Sequence, residues 1–384
     1  MTRILDIGLD RGMLRPDGGS ESQRRQAVYA DALGADIVLL VKAPSAASPG
    51  PVRWADGACA AIPVRVPNAL LFPFAALLRG ARLLRGNAFD VIQAQEPFLS
   101  AWPAWILARF AGARFVVGAF SDQVGNPAWR AKSRVNRIAD LCARFIYARA
   151  DAIRADSRAV TERLHALGLG QARFVPFLIT NARALSAPDP RRDSMRAECL
   201  GHLPGPLLLA VCRLEPEKNL PMMFDALRRA IAHLPGALLV VAGDGSQRRA
   251  LEGACSDLSE RVRFLGMVEN TGLAPLYQAA DLLLLSSDYE SSARVLSEAM
   301  LAGTAVVTTD TAGAREVVED GVTGEIVPVG DAAAFAAAIV RVAGDPDLCR
   351  RMGDAARARA DAVVSQTAVV AGLRAVLGVP EFPR

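Results

Sequence analysis

The sequence holds only three histidines, His165, His202 and His233, and none has a second ligand at metal-binding spacing. A histidine-based metal centre is therefore not expected. The six cysteines (Cys59, Cys142, Cys199, Cys212, Cys255 and Cys349) are scattered without a CxxC pair. They read as free thiols in a reducing compartment, not as a disulfide framework or a zinc site. Aromatic residues are sparse, at 6%, and no Walker phosphate loop occurs. No apolar run approaches the roughly 18–20 residues of a membrane-crossing helix. The longest, ALLFPFAALL at 69–78, is broken by Pro73 and stopped by Arg79. The opening MTRILDIGLD lacks the apolar stretch of a secretory leader and reads as a strand. These absences point to a cytoplasmic protein whose membrane contact is limited to a peripheral one at the inner face.

What is present suffices for two cores. At about 100–200 residues per domain, 384 residues suggest two domains, and 52% apolar with 22% charged residues is a soluble globular composition. Charge is unevenly placed. Residues 1–183 carry 24 Lys and Arg against 14 Asp and Glu, +10, whereas residues 184–384 carry 20 against 26, −6. A basic first half calls for an anionic partner: a phosphorylated ligand, a membrane surface or nucleic acid.

Short apolar, β-branched runs alternate with helical patterns. Strands are expected at 3–10, 35–42, 62–67, 90–95, 114–120 and 150–157, then at 206–214, 236–244, 261–266, 280–287, 304–310 and 323–329. Two series of βαβ alternation imply two parallel sheets flanked by helices. The proline- and charge-rich stretch 184–205 lacks a strand pattern and reads as a hinge. The expected order is an N-terminal Rossmann-like domain at 1–183, the hinge, a second Rossmann-like domain at 206–364, and a C-terminal helix and tail at 365–384 packing at the domain junction. Two doubly wound domains facing a central cleft would offer ligands the carboxyl ends of both sets of strands.

Four stretches lie at such strand ends. In DYESSARVLSEAMLAGTAVVTTD (288–310), Glu290 follows the buried strand ADLLLLSS. Glu298 sits about two turns into a helix whose Val295, Leu296, Ala299, Met300 and Ala302 recur at three- and four-residue steps, and Gly303 ends that helix. Ser291 or Ser292 is expected to cap it. A helix N-terminus favours phosphate, and carboxylates suit sugar hydroxyls; the alternative is a pair of solvated surface glutamates. VCRLEPEKN (211–219) places Arg213 at a strand end and Lys218 on the loop beyond. Two such cations can neutralise a leaving diphosphate without a metal. PDGGSESQRRQA (16–27) follows the first strand, and Gly18 with Gly19 permits close backbone approach before a helix begins near Ser20–Glu21; an ordinary turn is the alternative. VVAGDGSQRRALE (240–252) sets Gly243 and Gly245 at another strand end, as ligand contacts or as a simple turn. The one D-x-D, Asp345-Pro346-Asp347, precedes LCRRMG and reads as a helix cap, not a metal site.

In order, spacing and strand context, RLEPEKN, AGDG, RFLGMV, LYQAADLLLLSS and YESSARVLSEAMLAGTAVVTTDTAGAREVVEDGVTGEIV resemble the retaining glycosyltransferases of family 4, which have the GT-B fold. The resemblance covers nearly the whole chain and is strongest over 206–330. It implies that Arg213 and Lys218 hold the donor diphosphate, that Glu290 holds donor-sugar hydroxyls, and that Glu298 holds ribose hydroxyls. Gly18 and Gly19 would line the diphosphate from the other domain, and the backbone of Gly266–Val268 would border the nucleobase. The amides of Ser291, Ser292, Ala293, Arg294 and Val295 stand where the family has glycines and a phenylalanine. Phe120, in VVGAFSDQVGNPAW, stands where a histidine near the transferring sugar is common, and Asp122 keeps the acid that follows.

The implied activity is metal-independent, retaining transfer from a nucleotide diphosphate sugar to an acceptor hydroxyl in glycan, polysaccharide or glycolipid synthesis. No cofactor and no nucleic acid is implied. A nucleotide-sugar 2-epimerase of the same fold is disfavoured by the histidine-poor first half. A non-catalytic nucleotide-sugar-binding or scaffold protein is disfavoured by the intact Arg213, Lys218, Glu290 and Glu298. The acceptor is expected to be a glycan or a lipid-linked glycan. Arg79, Arg82 and Arg85 in 68–86, and Arg130, Lys132, Arg134 and Arg137 in 126–145, are either basic amphipathic surfaces for anionic lipid or solvated helix faces.

Overall fold

The computed structural model describes residues 1–45 and 50–380, so the last four residues of the expected C-terminal tail lie outside the described residues. The chain forms two compact units, Met1–Thr180 with Gln366–Arg384, and Asn181–Ser365.

The first unit is built on β1 (Thr2–Gly8), β2 (Ala35–Ala43), β3 (Val52–Trp54), β4 (Cys59–Arg65), β5 (Val91–Ala94), β6 (Arg114–Ala119), β7 (Ala152–Ala155) and β8 (Ala172–Phe174). They form one sheet in the order β3-β4-β2-β1-β5-β6-β7-β8. Every pairing is parallel except β3 with β4, an antiparallel edge pair. The helices are α1 (Glu21–Leu33), α2 (Phe72–Leu84), α3 (Ala101–Ala111), α4 (Pro127–Ala131), α5 (Arg134–Tyr147) and α6 (Arg158–Ala166). The start of α1 follows from a reciprocal capping box: Ser20 Oγ accepts from Gln23 N at 3.1 Å, and Ser20 N donates to Gln23 Oε1 at 3.1 Å. Its end falls at Gly34, which adopts the left-handed conformation. Phe72 and Ala76 of α2, Ala104 and Leu107 of α3, and Ala143, Ile146 and Tyr147 of α5 pack on one face of the sheet.

The second unit carries β9 (Leu207–Val211), β10 (Leu238–Ala242), β11 (Val262–Gly266), β12 (Leu282–Leu285), β13 (Ala305–Thr309) and β14 (Glu325–Val327). This sheet is wholly parallel, in the order β11-β10-β9-β12-β13-β14. Its helices are α7 (Ala182–Ser186), α8 (Arg192–Leu200), α9 (Leu220–Ala230), α10 (Arg248–Ala254), α11 (Asn270–Ala279), α12 (Arg294–Ala302), α13 (Ala312–Val317), α14 (Ala332–Ala343) and α15 (Pro346–Val363). The stretch 184–205 therefore folds largely as helices α7 and α8 within this unit. Gln278 Nε2 donates to Leu185 O at 2.9 Å, and Arg196 Nη1 donates to Ala279 O at 2.8 Å. Asp345 caps α15, accepting from Asp347 N and Leu348 N.

All twelve expected strands are present, with ends shifted by up to three residues: most are shorter than expected, whereas β4 begins three residues earlier, at Cys59. Two further strands, β3 and β8, have three residues each and lie at the edges of the first sheet, too short for a periodic signal to register.

A last helix, α16 (Gln366–Leu377), returns to the first unit. Val369, Leu373, Val376 and Leu377 fill the core beneath Tyr29 and Leu33 of α1, and Arg374 Nη2 donates to Ala32 O at 2.6 Å. The C-terminal segment is thus part of that core. Leu373→Ala, which empties a fully buried site, is expected to destabilise the first unit by about 2–5 kcal/mol. Denaturant unfolding checks it.

Candidate functional site

Each sheet reverses its strand order once near its centre, and ligands of open parallel sheets bind at the carboxyl ends of the strands flanking such a reversal. In the second unit the reversal lies between β9 and β12. Residues 212–219 leave β9 there, and residues 286–293 leave β12. Four contacts join these two loops. Ser286 Oγ donates to Lys218 O at 2.7 Å, Asp288 N to Glu217 O at 2.9 Å, and Asn219 Nδ2 to Asp288 Oδ1 at 2.7 Å. Lys218 Nζ meets Glu290 Oε2 at 2.5 Å, and Ser287 Oγ donates to the same oxygen at 3.2 Å. Asn219 makes the turn possible: it sits at φ 45°, ψ 47°, tolerated by asparagine better than by most residues, and it also caps α9.

The sequence-derived pair Lys218 and Glu290 is therefore brought together, with both side chains largely withdrawn from water at 12% and 18% exposure. Arg213 stands two residues beyond the end of β9, with its side chain 71% exposed and bonded to Glu217 at 3.0 Å. An exposed i,i+4 pair contributes only about 0.3–0.5 kcal/mol, so an anionic ligand can readily draw this guanidinium away. Burial pushes the Cys212 thiol up to about 11, with Lys218 opposing the rise and Glu290 adding to it.

Glu298 is buried inside the unit at 2% exposure. Its carboxylate accepts from Tyr277 Oη at 2.7 Å and pairs with Arg294 Nε at 3.0 Å. Burial, reinforced by Glu298, holds the Tyr277 phenol well above its usual range, so it remains a donor. The expectation that Ser291 or Ser292 caps α12 is not met. Ala293 occupies the N-cap without a side-chain bond, because the preceding residues turn instead: Arg294 N donates to Ser292 O, and Glu290 O is taken by Gly313 N at 2.9 Å. A Cβ at Gly313 would lie 2.8 Å from Ala293 N and 3.2 Å from Glu290 O, so that glycine lets α13 press against the 290–293 backbone.

Gly243, at φ 143°, packs against the Cys212 carbonyl, where a Cβ would overlap, and Gly245 abuts Leu214. Both are needed for loop-to-loop packing, and Glu215 fastens the contact by accepting from Ser246 N at 3.1 Å and Oγ at 2.7 Å. Gly266, at φ 73°, accepts from Gly243 N at 2.7 Å and leads to half-buried Val268. Asn219, Asp288, Ser286, Ser287, Tyr277 and Gly313 were not singled out from the sequence. Apart from Ser287, which reaches Glu290 three residues on, they act through tertiary contacts that no local spacing encodes. A cavity of about 710 Å³ in this unit, bordered by Arg192, Arg196, Asp281 and Arg357, opens at the opposite, amino-terminal strand ends.

In the first unit the reversal lies between β1 and β5. Gly18, at φ 66°, and Gly19 precede the capped start of α1. Asp122 is engaged by Arg163 and by Asn126 Nδ2 at 3.1 Å. The Phe120 ring covers the Arg154 guanidinium at 5.3 Å, and Arg154 Nη2 donates to Tyr29 Oη at 2.9 Å. Gly118 leaves the room this ring needs, since a Cβ there would lie 2.6 Å from it. Phe120 is thus half-buried against a cation. Asp6, accepting from Gln95 Nε2 at 3.1 Å, shares that layer, and burial raises its carboxyl to about 6, with Gln95, Arg154 and Arg25 opposing.

Two parallel-sheet Rossmann-like units with side chains gathered at the switch points define the GT-B architecture. The family models agree: residues 17–177 match the glycosyl transferase 4-like domain, and 196–359 match glycosyl transferases group 1. The chain belongs to the GT-B glycosyltransferases of the family-4 kind. It is 30% identical over 231 residues to the lipopolysaccharide core biosynthesis glycosyltransferase LpsE of Rhizobium meliloti, covering 59% of this chain and 64% of that one. It is 38% identical over 145 residues to the phosphatidyl-myo-inositol mannosyltransferase of Mycolicibacterium smegmatis, covering 38% and 37%. The matches thus span less than two thirds of these relatives' own length. Two solved structures share the fold: a sucrose-phosphate synthase from Thermosynechococcus elongatus (22% identity, 97% of both chains, TM-score 0.82) and Anabaena HepE in complex with UDP-glucose (20%, 98% and 100%, TM-score 0.76).

The raised Asp6 carboxyl gives a signed prediction. A carboxyl whose pKa is higher folded than unfolded binds protons on folding, so its ionisation weakens the fold as pH rises from about 4 through about 6. Asp6→Asn removes that charge. Relative to the parent, the variant should gain stability between pH 5 and pH 7.5 by about 1.4 kcal/mol, roughly half of the full effect, the other half being already present at pH 5. Denaturation curves at the two pH values check it.

Proposed function

We propose that the protein transfers a sugar from a nucleotide diphosphate sugar to an acceptor hydroxyl, with retention and without a metal ion. The observation that carries this reading is the Lys218–Glu290 pair at the β9/β12 switch point. It sets a cation for the leaving diphosphate against a carboxylate for the sugar hydroxyls. Arg213 supplies the second cation, and the backbone amides ahead of α12 add dipoles aimed at the same charge. Glu298, oriented by Tyr277 and Arg294, faces the ribose. Within the second unit the Gly266–Val268 backbone borders the base, and Gly243 and Gly245 shape the loop after β10. Anabaena HepE, which shares the fold, is solved in complex with UDP-glucose, and this supports a donor of that class.

The bond from the anomeric carbon to the diphosphate oxygen breaks, and the acceptor oxygen bonds to the same face of that carbon. The acceptor proton passes to the departing phosphate oxygen. Charge develops mainly on the diphosphate, so stabilisation falls to Arg213, Lys218 and the amides, and no side-chain base is required. The acceptor is a glycan or lipid-linked glycan, and the setting is the cytoplasmic side of a membrane touched peripherally.

Purified protein incubated with a panel of nucleotide sugars in EDTA should release nucleotide from one of them, slowly with water and faster with acceptor. Lys218→Ala and Arg213→Ala should each lower turnover by roughly 2.7–4 kcal/mol of transition-state stabilisation; the unfolding midpoint of Arg213→Ala should stay close to the parent's, whereas that of Lys218→Ala should fall because Glu290 loses its partner. Release that needs added magnesium or manganese, or near-normal turnover in both variants, would overturn this reading.

A further inference from the structure

The layer of helices α2, α3 and α5 on the first sheet leaves an apolar outer side. In α5, Val135, Ile138, Leu141 and Phe145 recur at three- and four-residue steps and are exposed, Val135 at 73% and Leu141 at 64%. Phe74 and Leu78 lie one turn apart on α2, also exposed, and Leu70 and Leu71 precede that helix. Phe110, at the end of α3, is exposed as well. The core does not need these side chains, because the opposite sides of the same helices already seal it.

Charge on this layer has one sign. Among residues 72–149 the acids are Asp90, Glu96, Asp122 and Asp140. Only Asp140 belongs to α2, α3 or α5, and it is buried, bonded to Arg130 at 3.3 Å and Arg144 at 2.9 Å. Arg79, Arg82 and Arg85 on and after α2, Arg109 on α3, and Arg134, Arg137 and Arg149 on and after α5 are exposed. Half-buried Trp102 and Trp105 of α3 pack against Phe145 at 5.5 and 5.9 Å, and the Arg149 guanidinium lies 3.2 Å over the Phe145 ring. Amphipathic aromatics beside arginine are the residues that favour the headgroup level of a bilayer. Between α2 and α3 an open groove of about 740 Å³ is lined by Leu77, Leu84, Ile106, Leu107 and Phe110, with Arg85 on its border.

We propose that this face docks on an anionic lipid bilayer: the apolar side chains of α2 and α5 enter the boundary between headgroups and acyl chains, the arginines lie among the anionic headgroups, and the α2–α3 groove takes an acyl chain beside Arg85. An apolar stripe is redundant for nucleic acid, whose backbone needs only the cations. Two copies meeting through this face would set arginine against arginine. The inference deepens the acceptor side of the proposed reaction and rests on it only for the identity of that acceptor. The assay below reads lipid binding alone, so its failure leaves donor cleavage standing.

The test is sedimentation of the full chain with phosphatidylglycerol–phosphatidylcholine vesicles and with phosphatidylcholine vesicles alone. Tryptophan quenching by acyl-brominated lipid is measured alongside. Binding should require the anionic lipid, weaken at about 0.5 M salt, where charges are screened within a few ångströms, and be accompanied by quenching. Ile138→Asp with Leu141→Asp should abolish quenching and weaken binding at least about tenfold, and Arg79→Glu with Arg82→Glu and Arg85→Glu should weaken it on the order of a hundredfold. All five positions are exposed, and circular dichroism verifies that the variants fold. Equal binding to neutral vesicles, no binding, or binding without quenching that survives Ile138→Asp with Leu141→Asp would each overturn the proposal. So would a dimer in solution that the aspartate variant dissociates, since a second copy would then cover the face.

Discussion

The half-buried ion pair between Lys218 and Glu290 is the contact on which the rest of the site depends. Withdrawing two charges from water costs several kcal/mol per ion unless each finds close partners. Here the partners are each other, Ser287, and two loops that cannot separate without breaking bonds from Ser286, Asp288 and Asn219. The pair therefore reports the correct joining of β9 and β12, and it presents one cation and one carboxylate in fixed relation before any ligand arrives. Arg213 differs in kind. It is exposed and weakly held, suited to following a charge as it develops.

Around this pair the glycines act by absence of a side chain. Gly243 and Gly245 let the loop after β10 lie on the loop after β9, and Gly313 lets α13 support the turn that carries Glu290. Glu298 is held from within by Tyr277 and Arg294. The first unit adds a different chemistry, a buried polar layer of Asp6, Gln95, Arg154 and Tyr29 under the Phe120 ring.

Most of the fold was legible in the sequence because buried parallel strands are written as uninterrupted apolar runs such as LLLAV and LLVVA. The two strands that escaped, β3 and β8, are three-residue edge strands. The hinge expected at 184–205 was misleading because proline and charge there mark short helices docked by Gln278 and Arg196, contacts invisible to local composition. Lys218 and Glu290 were picked out from their places relative to strand ends, and the fold brings their side chains together; Arg213 it leaves exposed, and Glu298 it buries against Tyr277 and Arg294. Among their supports, Tyr277 lies 21 positions from Glu298 and Gly313 lies 23 from Glu290, and Asn219 and Asp288, though close to Lys218 and Glu290 in sequence, bond to each other across 69 positions, so only the fold makes these contacts. The serine cap expected for α12 failed because the backbone after Glu290 is committed to Gly313.

In the proposed reaction Lys218, preorganised by Glu290, binds the donor's diphosphate directly. Calorimetric titration of UDP, GDP and ADP into the protein in EDTA, without acceptor, tests it. One nucleoside diphosphate should bind, and Lys218→Met should weaken that binding by about tenfold or more, as expected for losing a charge-assisted bond of roughly 1.5–3 kcal/mol. Binding unchanged in Lys218→Met, or no binding by any of the three to the parent protein, would contradict it.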